Sequence, residues 1–351
     1  VIRVRDAESR DVEDLYALAR TATFLNLPAD RSLLAKKITR SQNSFRKKQR
    51  SMADAQYLLV LEDTEENRVI GSCSIIAQHG TPEEPHSYFE VLTKKKISKS
   101  LHIGFLHQVL RMGFDTDGPT EIGGLVILPE YRRHPERLGK LLSFSRFMYI
   151  AARRAQFRED VLSELMPPLN ERGDSPIWEE VGRKFTNLRY DEADRLSRKN
   201  KEFFSALFPE GDIYTCMLSG EARQAIGEVG EDTMPVKRML EGIGFKYRDM
   251  IDPFDGGPHF WAKTAQIEPV KFTRQLRPLG KKPLKELPLA HGYLMGISKR
   301  KLRLIQGSFR VKGSELAVDG NVQSALDPDE STEFYFLEMK DGRPQRESKK
   351  S

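Results

Sequence analysis

The apolar run Ile122 to Leu128 stops at Pro129, crosses the polar turn Glu130 to Arg137, and resumes at Gly139 with Leu141, Leu142, Ser145, Met148, Tyr149 and Ala152 at helical spacing. Proline lacks an N–H and has a fixed φ, so it ends a central strand, and the later residues share one helix face. A strand that feeds a helix through a short turn commits this chain to an α/β or α+β architecture with a mixed sheet. Val161 to Leu165 then reads as the next, parallel strand, reached by a helical crossover and broken by Pro167 and Pro168.

The flanking segments fit that plan. Ile2 and Val4 alternate as a strand, and Val12, Leu15, Tyr16, Ala19 and Ala22 follow as a helix behind Ser9 and Asp11. Arg31 to Arg50 reads as a basic amphipathic helix. Tyr57 to Leu61 and Val69 to Ile76 form a hairpin across an acidic turn, which Tyr88 to Leu92 extends as an antiparallel meander. Further on, Pro176 to Val181 and Glu192 to Leu207 are helical, and Met234 to Leu240 is a helix leading to the strand Phe245 to Ile251, a second α/β unit. Asp252 to Pro258 consists almost wholly of turn formers and specifies one loop. Lys271 to Lys285 reads as a linker, Leu302 to Phe309 and Glu333 to Met339 as a small β-rich end, and Arg343 to Ser351 as a fraying tail. Three successive parts are therefore expected: residues 1–165, 166–268 and 269–351.

With 351 residues, 38% hydrophobic and 31% charged, the chain has enough apolar material for a large core and no bias toward disorder. Its 57 basic and 51 acidic residues leave +6, mixed along the sequence, which suits an anionic small ligand as well as nucleic acid. Cys73 and Cys216 are too few for a disulfide framework, so a reducing, cytoplasmic setting is expected. Neither Leu58 to Leu61 nor Leu141 to Ala152 approaches the roughly 20 apolar residues of a membrane span, and the sequence opens on the Ile2, Val4 alternation of a strand instead of a basic-then-apolar leader, so secretion is not expected.

The chemistry-bearing residues narrow the classes. Arg132, Arg133 and Arg137 before the Gly139 helix resemble an anion cradle, because free N–H groups and guanidinium donors both suit phosphate oxygens. The pattern is neither GxGxxG nor a P-loop, and a structural turn is the competing reading. The spacing of His79, His86, His102, His107, His134, His259 and His291 contains no HExxH, and the cysteines stand far apart, so no metal is expected. His259 with Asp255, or His102 with Glu121, suits proton transfer, His259 more so because a Gly/Pro-rich turn holds it. No GxSxG elbow supports a covalent intermediate. The aromatic residues lie at core spacing and argue against a nucleobase platform, so no nucleic-acid partner is expected, and the lack of a long apolar run leaves no membrane partner expected.

Several ordered blocks resemble the arginine N-succinyltransferase family, a branch of the GNAT-like acyl-CoA N-acyltransferases. They are Leu27 to Asp30; Ile122 to Pro129 with Tyr131, Arg132 and Arg133; Gly139 to Phe147; Gly173 to Trp178; Val181 to Phe185; and Asp252 to Pro258. The likeness runs from Val1 to Ala262 and more loosely beyond. It implies a duplicated GNAT-like fold, a bacterial enzyme of arginine catabolism, succinyl-CoA as acyl donor with no metal, and arginine or ornithine as acceptor. It further implies a homo-oligomer, a dimer in its simplest form.

By the same resemblance, Arg133, Leu138, Gly139 and Lys140 surround the CoA pyrophosphate, with Arg132 or Arg137 near its other phosphates. Leu125 matches a succinyl-CoA position, and its backbone or that of Val126 would donate to the thioester oxygen as charge develops. Asp255 and Trp178 fall on the amine side, Asp255 as a partner for a guanidinium or else as a turn cap. Tyr131 or Tyr149 would protonate the leaving sulfur. Two departures are visible. Arg137 replaces the first of two family glycines in a turn two residues longer, and Gly230 stands where the family has its proposed catalytic histidine. Glycine cannot carry a proton, which leaves Glu228, Glu231 or Asp232 as bases, another acyl-CoA and amine such as a polyamine, or a non-catalytic CoA-binding protein.

Overall fold

The computed structural model describes residues 1–21, 27–48, 50–197, 202–279, 287–299 and 301–345. The expected helix Glu192 to Leu207, the linker Lys271 to Lys285 and the tail Arg343 to Ser351 fall partly outside them. The strands in chain order are β1 (Ile2–Asp6), β2 (Gln56–Asp63), β3 (Arg68–Ile76), β4 (His86–Ser98), β5 (Ile103–Asp115), β6 (Thr120–Ile127), β7 (Asp160–Glu164), β8 (Ile213–Tyr214), β9 (Lys246–Ile251), β10 (Pro258–Lys263), β11 (Arg274–Pro278), β12 (Leu289–Ile297), β13 (Leu302–Lys312), β14 (Glu315–Leu316), β15 (Glu333–Lys340) and β16 (Arg343–Pro344). The helices that bear on the site are α1 (Val12–Ala19), α2 (Arg31–Phe45) and α3 (Leu138–Ala152). This is the mixed α/β class expected.

The chain divides into two compact units that interleave in sequence. One contains residues 1–78, 120–159 and 263–351, the other 79–119 and 160–262. The three successive parts drawn from the sequence are cut differently, because residues 269–351 join the N-terminal segments. In the first unit β2 and β3 form the expected hairpin, and β3 pairs antiparallel with β6. On the other side β1 pairs antiparallel with β2 and with β13, which draws the C-terminal strands into this unit. The linker expectation fails at β11: Leu276 is buried, and Arg274 to Leu276 pair antiparallel with Phe334 to Phe336.

α3 is buried on nearly every side, from Leu138 through Ile150, as suits a helix at the centre of a unit. Phe144 meets Tyr293 of β12 edge-to-face at 6.1 Å, so the C-terminal strands complete its packing.

In the second unit β4 does not extend the N-terminal meander. It forms a 13-residue ladder with β5, a strand the sequence pattern did not reveal, and pairs with β9, which pairs with β10. Phe89, Trp178, Phe203, Phe204, Phe208 and Phe254 form much of its core.

Candidate functional site

The strand, basic turn and helix of the first unit form one local structure. Ser72 faces Val126 and Ser74 faces Gly123, so Gly124 and Leu125 together oppose Cys73 across the β3–β6 ladder. This is a β-bulge, and Gly124 takes the left-handed φ of 59° that such an irregularity favours. Leu125 and Val126, the expected thioester contacts, therefore lie where the regular ladder is interrupted. Arg146, assigned no role from the sequence, is placed by α3 beneath this point. It is 2% exposed, and it donates from Nη2 to Ser143 Oγ at 2.7 Å and from Nη1 to the Gly123 carbonyl at 3.3 Å. Its burial lowers its affinity for the proton. A lone arginine in an otherwise buried apolar helix was the available signal.

After Pro129 the chain makes one 3₁₀ turn through Tyr131 and reaches α3 at Leu138. Arg137, the N-cap, holds the left-handed conformation at φ 53° and ψ 52°, so an arginine occupies the backbone shape that glycine would take without cost. The first intrahelical donors are Lys140 and Leu141, both to the Arg137 carbonyl. The N–H groups of Leu138 and Gly139 thus precede the helical hydrogen-bond series. Arg133 and Arg137 are exposed, and Arg132, also exposed, donates from Nε to the Ile127 carbonyl at 3.2 Å.

The C-terminal hairpin reaches this turn. Asp341 and Gly342, both at positive φ, join β15 to β16, and Lys140 Nζ donates to the Gly342 carbonyl. Arg137 Nη1 occupies the space a side chain at 342 would need. Burial, then Arg137 and Arg343, lower the proton affinity of Lys140, which places three cations close together. Tyr131 directs its hydroxyl to Asp63 Oδ2 at 3.4 Å, and burial, then Glu66 and Asp63, raise its phenol above the ordinary range. Tyr149, the other acid considered, is core, packed at 4.9 Å against Tyr57.

The second unit holds Asp255 and Trp178, the residues expected on the amine side. Asp255 is buried; its Oδ1 accepts from the Gly257 N–H at 2.8 Å, and its carbonyl accepts from Ser175 Oγ at 3.1 Å. The turn-capping role is therefore present. Trp178 is a correction: it is 0% exposed, stacks on Phe254 at 5.2 Å, and spends its indole N–H on the Leu188 carbonyl at 3.0 Å, so its ring supports the loop from within the core.

Gly230 donates its N–H to the Met166 carbonyl at 2.9 Å, and a Cβ there would lie 2.8 Å from the Pro167 carbonyl oxygen. Any side chain at this position requires the backbone to shift. Glu228 and Glu231 nearby in sequence are exposed. His259 is fully buried, stacked on His86 at 5.2 Å, with Nε2 3.6 Å from Glu164 Oε1. Spacing along the chain argued against a metal, yet the fold gathers two donor trios, His79–His86–Glu164 and Glu164–Asp252–His259, each within 4.8 Å. Glu164 and His86 were not singled out from sequence, because nothing local links positions 86, 164 and 259.

A shallow depression of about 720 Å³ along α2 is lined by Lys36, Arg40, Asn43 and Lys48 among others, and no candidate site residue lines it. Among the described residues no helix is long and apolar enough to cross a membrane.

A family model described as arginine N-succinyltransferase beta subunit matches residues 2–269. The arginine N-succinyltransferase of Citrobacter koseri is 36% identical over 276 residues, covering 78% of this chain and 79% of that protein. The one from Yersinia enterocolitica is 36% identical over 280 residues, with the same coverage of both. The solved structure of arginine/ornithine succinyltransferase subunit AI from Pseudomonas aeruginosa superposes with a TM-score of 0.81 at 25% identity, over 96% of this chain and 98% of that one. The likeness in fold thus extends through the C-terminal strands, past the end of the family match.

Proposed function

This chain belongs to the arginine N-succinyltransferase family, and we propose that it transfers a succinyl group from succinyl-CoA to the α-amine of arginine, or of ornithine, by direct attack without an acyl-enzyme. The observation that carries this reading is the match along residues 2–269 together with the likeness in fold over 96% of the chain. The duplicated GNAT-like plan and the division of labour between the two halves belong to the same proposal.

Arg133, Leu138, Gly139 and Lys140 hold the CoA pyrophosphate, Leu138 and Gly139 through backbone N–H groups at the start of a 15-residue helix. Arg132 and Arg137 serve the remaining phosphates. The backbone at Leu125 and Val126 donates to the thioester oxygen; the bulge there, tied down by Arg146, supports that role because a fixed donor stabilises developing charge without reorganising. Tyr131, a phenol and so protonated at neutral pH, gives a proton to the departing sulfur. Asp255 steers the guanidinium of the acceptor. Glu228 and Glu231, both exposed, are the candidates that the sequence offers for deprotonating the amine in place of the histidine the family has at position 230, whereas burial keeps His259, the third candidate, from direct contact with it.

The working form is a homo-oligomer in a cytoplasmic setting. The exposed Ile97, Leu101, Phe105 and Leu106 around the β4–β5 turn favour association, and light scattering tests it.

Succinyl-CoA offered with arginine, ornithine, lysine, agmatine and spermine, followed by CoA release and product mass, tests the activity. Products from arginine and ornithine are expected. Product from spermine alone would move the acceptor to the polyamines, and CoA binding without turnover on any pair would leave a binding protein.

A further inference from the structure

The second unit contains a partly buried cluster that joins distant stretches of sequence. Glu164, the last residue of β7, lies with Oε1 3.2 Å from His86 Nε2 and 3.6 Å from His259 Nε2. The two imidazoles are 2% and 0% exposed and stack with an interplanar angle of 25°, whereas the Glu164 side chain is 25% exposed. The ring of His79 packs edge-on against His86 at 4.6 Å, and Asp252 approaches within 4.8 Å of both Glu164 and His259. An arriving amine can touch the carboxylate, but it cannot touch either imidazole without a rearrangement.

The position of Glu164 relative to the substrate loop adds to this. Leu165, the next residue, donates its N–H to the Pro258 carbonyl at 3.1 Å, and its own carbonyl packs so closely on Gly257 that no side chain fits between them. The loop carrying Asp255 is therefore seated on the end of β7.

We propose that Glu164 is the group that takes the proton from the acceptor amine, with His86 and His259 as positioning residues that hold its carboxylate. This rests on the transferase reading and supplies its missing base. One hydrogen of the substrate ammonium passes to a Glu164 oxygen, and the freed lone pair attacks the thioester carbon. The C–N bond forms, and the C–S bond breaks with its electron pair leaving on sulfur. Tyr131 protonates the departing sulfur, and the second hydrogen, which leaves nitrogen as the intermediate collapses, restores the phenol, while the third stays on the amide. Glu164 then returns its proton to water. Titratable groups that face Glu164 include His79, His86, Asp252 and His259.

The test is the full-length Glu164→Gln protein, with succinyl-CoA and arginine as substrates and CoA affinity measured by calorimetry. Removing a general base should lower kcat by about 10² to 10⁴-fold at neutral pH, with CoA affinity unchanged. The loss should shrink as pH rises and the ammonium gives up its proton to solvent unaided. His86→Gln and His259→Asn should cost less and shift the acidic limb of the kcat/KM profile, which a purely structural role would not do. If Glu164→Gln fails to bind CoA, the shorter base in Glu164→Asp replaces it, with a loss of at least tenfold in kcat expected. A wild-type enzyme that turns over while a folded Glu164 variant stays within threefold of it, with the same pH profile, overturns the inference alone. A wild type that turns over no amine in the panel removes the transferase reading, and this inference with it.

Discussion

The ammonium of Lys140, in the first turn of α3, donates to the carbonyl oxygen of Gly342, 202 residues further along the chain. A residue expected at a cofactor phosphate is thereby tied to a hairpin beyond the end of the family match. A phosphate oxygen would replace that carbonyl as partner and gain a charge-assisted bond. Lys140→Met should therefore weaken CoA binding about tenfold, corresponding to the ~1.5 kcal/mol of such a bond, and the deficit should narrow as salt rises. Calorimetry at two ionic strengths checks both.

Gly139 differs from most glycines of the chain in having room beside it. A Cβ there would meet only Ile127 Cδ1, at an ordinary 3.7 Å. Gly139→Glu should consequently fold with a melting temperature near wild type, yet lose CoA binding through bulk and like charge at the helix start. Unchanged CoA affinity would mean the phosphates lie elsewhere.

Asp6 gives a pH dependence whose sign can be worked out. Its burial raises the carboxyl from 3.8 to about 6, against the lowering effect of the Leu302 N–H it accepts at 2.9 Å. The folded state thus binds this proton more tightly than the unfolded state. The group's stabilising contribution is complete below about pH 4 and is lost as pH rises through about 6. Asp6→Asn keeps an acceptor for Leu302 and removes the charge. It should raise stability at pH 7.5 by on the order of 2 kcal/mol and flatten the slope between those values in urea melts.

Trp178 fills the core of the second unit, so Trp178→Ala should destabilise by about 3 to 5 kcal/mol in denaturant unfolding. The KM for arginine measured well below the transition should move less than threefold. A large KM effect with full stability would restore the indole to the substrate.

Arg146 connects α3 to the strand at Gly123. Arg146→Lys keeps a charge but loses the planar fork that reaches both Ser143 and Gly123. Slackening of the bulge should lower kcat about tenfold or more with little change in CoA affinity, since donors to developing charge depend on fixed geometry. Steady-state kinetics beside calorimetry separates the two effects.

Local patterns in the sequence determined the strand into Pro129, the basic turn, the helix from Gly139, the hairpin of β2 and β3, and the loop Asp252 to Pro258, because proline, glycine and apolar period act over a few residues. The ordered blocks likewise identified the family. Tertiary structure alone decided that the C-terminal strands close the first unit through β1 and β13, since the pairing of edges so far apart leaves no periodic trace. It also turned Trp178 inward, set Arg146 under the bulge and gathered His86, Glu164 and His259. Those three lie on β4, β7 and β10, and a carboxylate meets two imidazoles only once the chain has packed, when burial and distance give the group its chemistry.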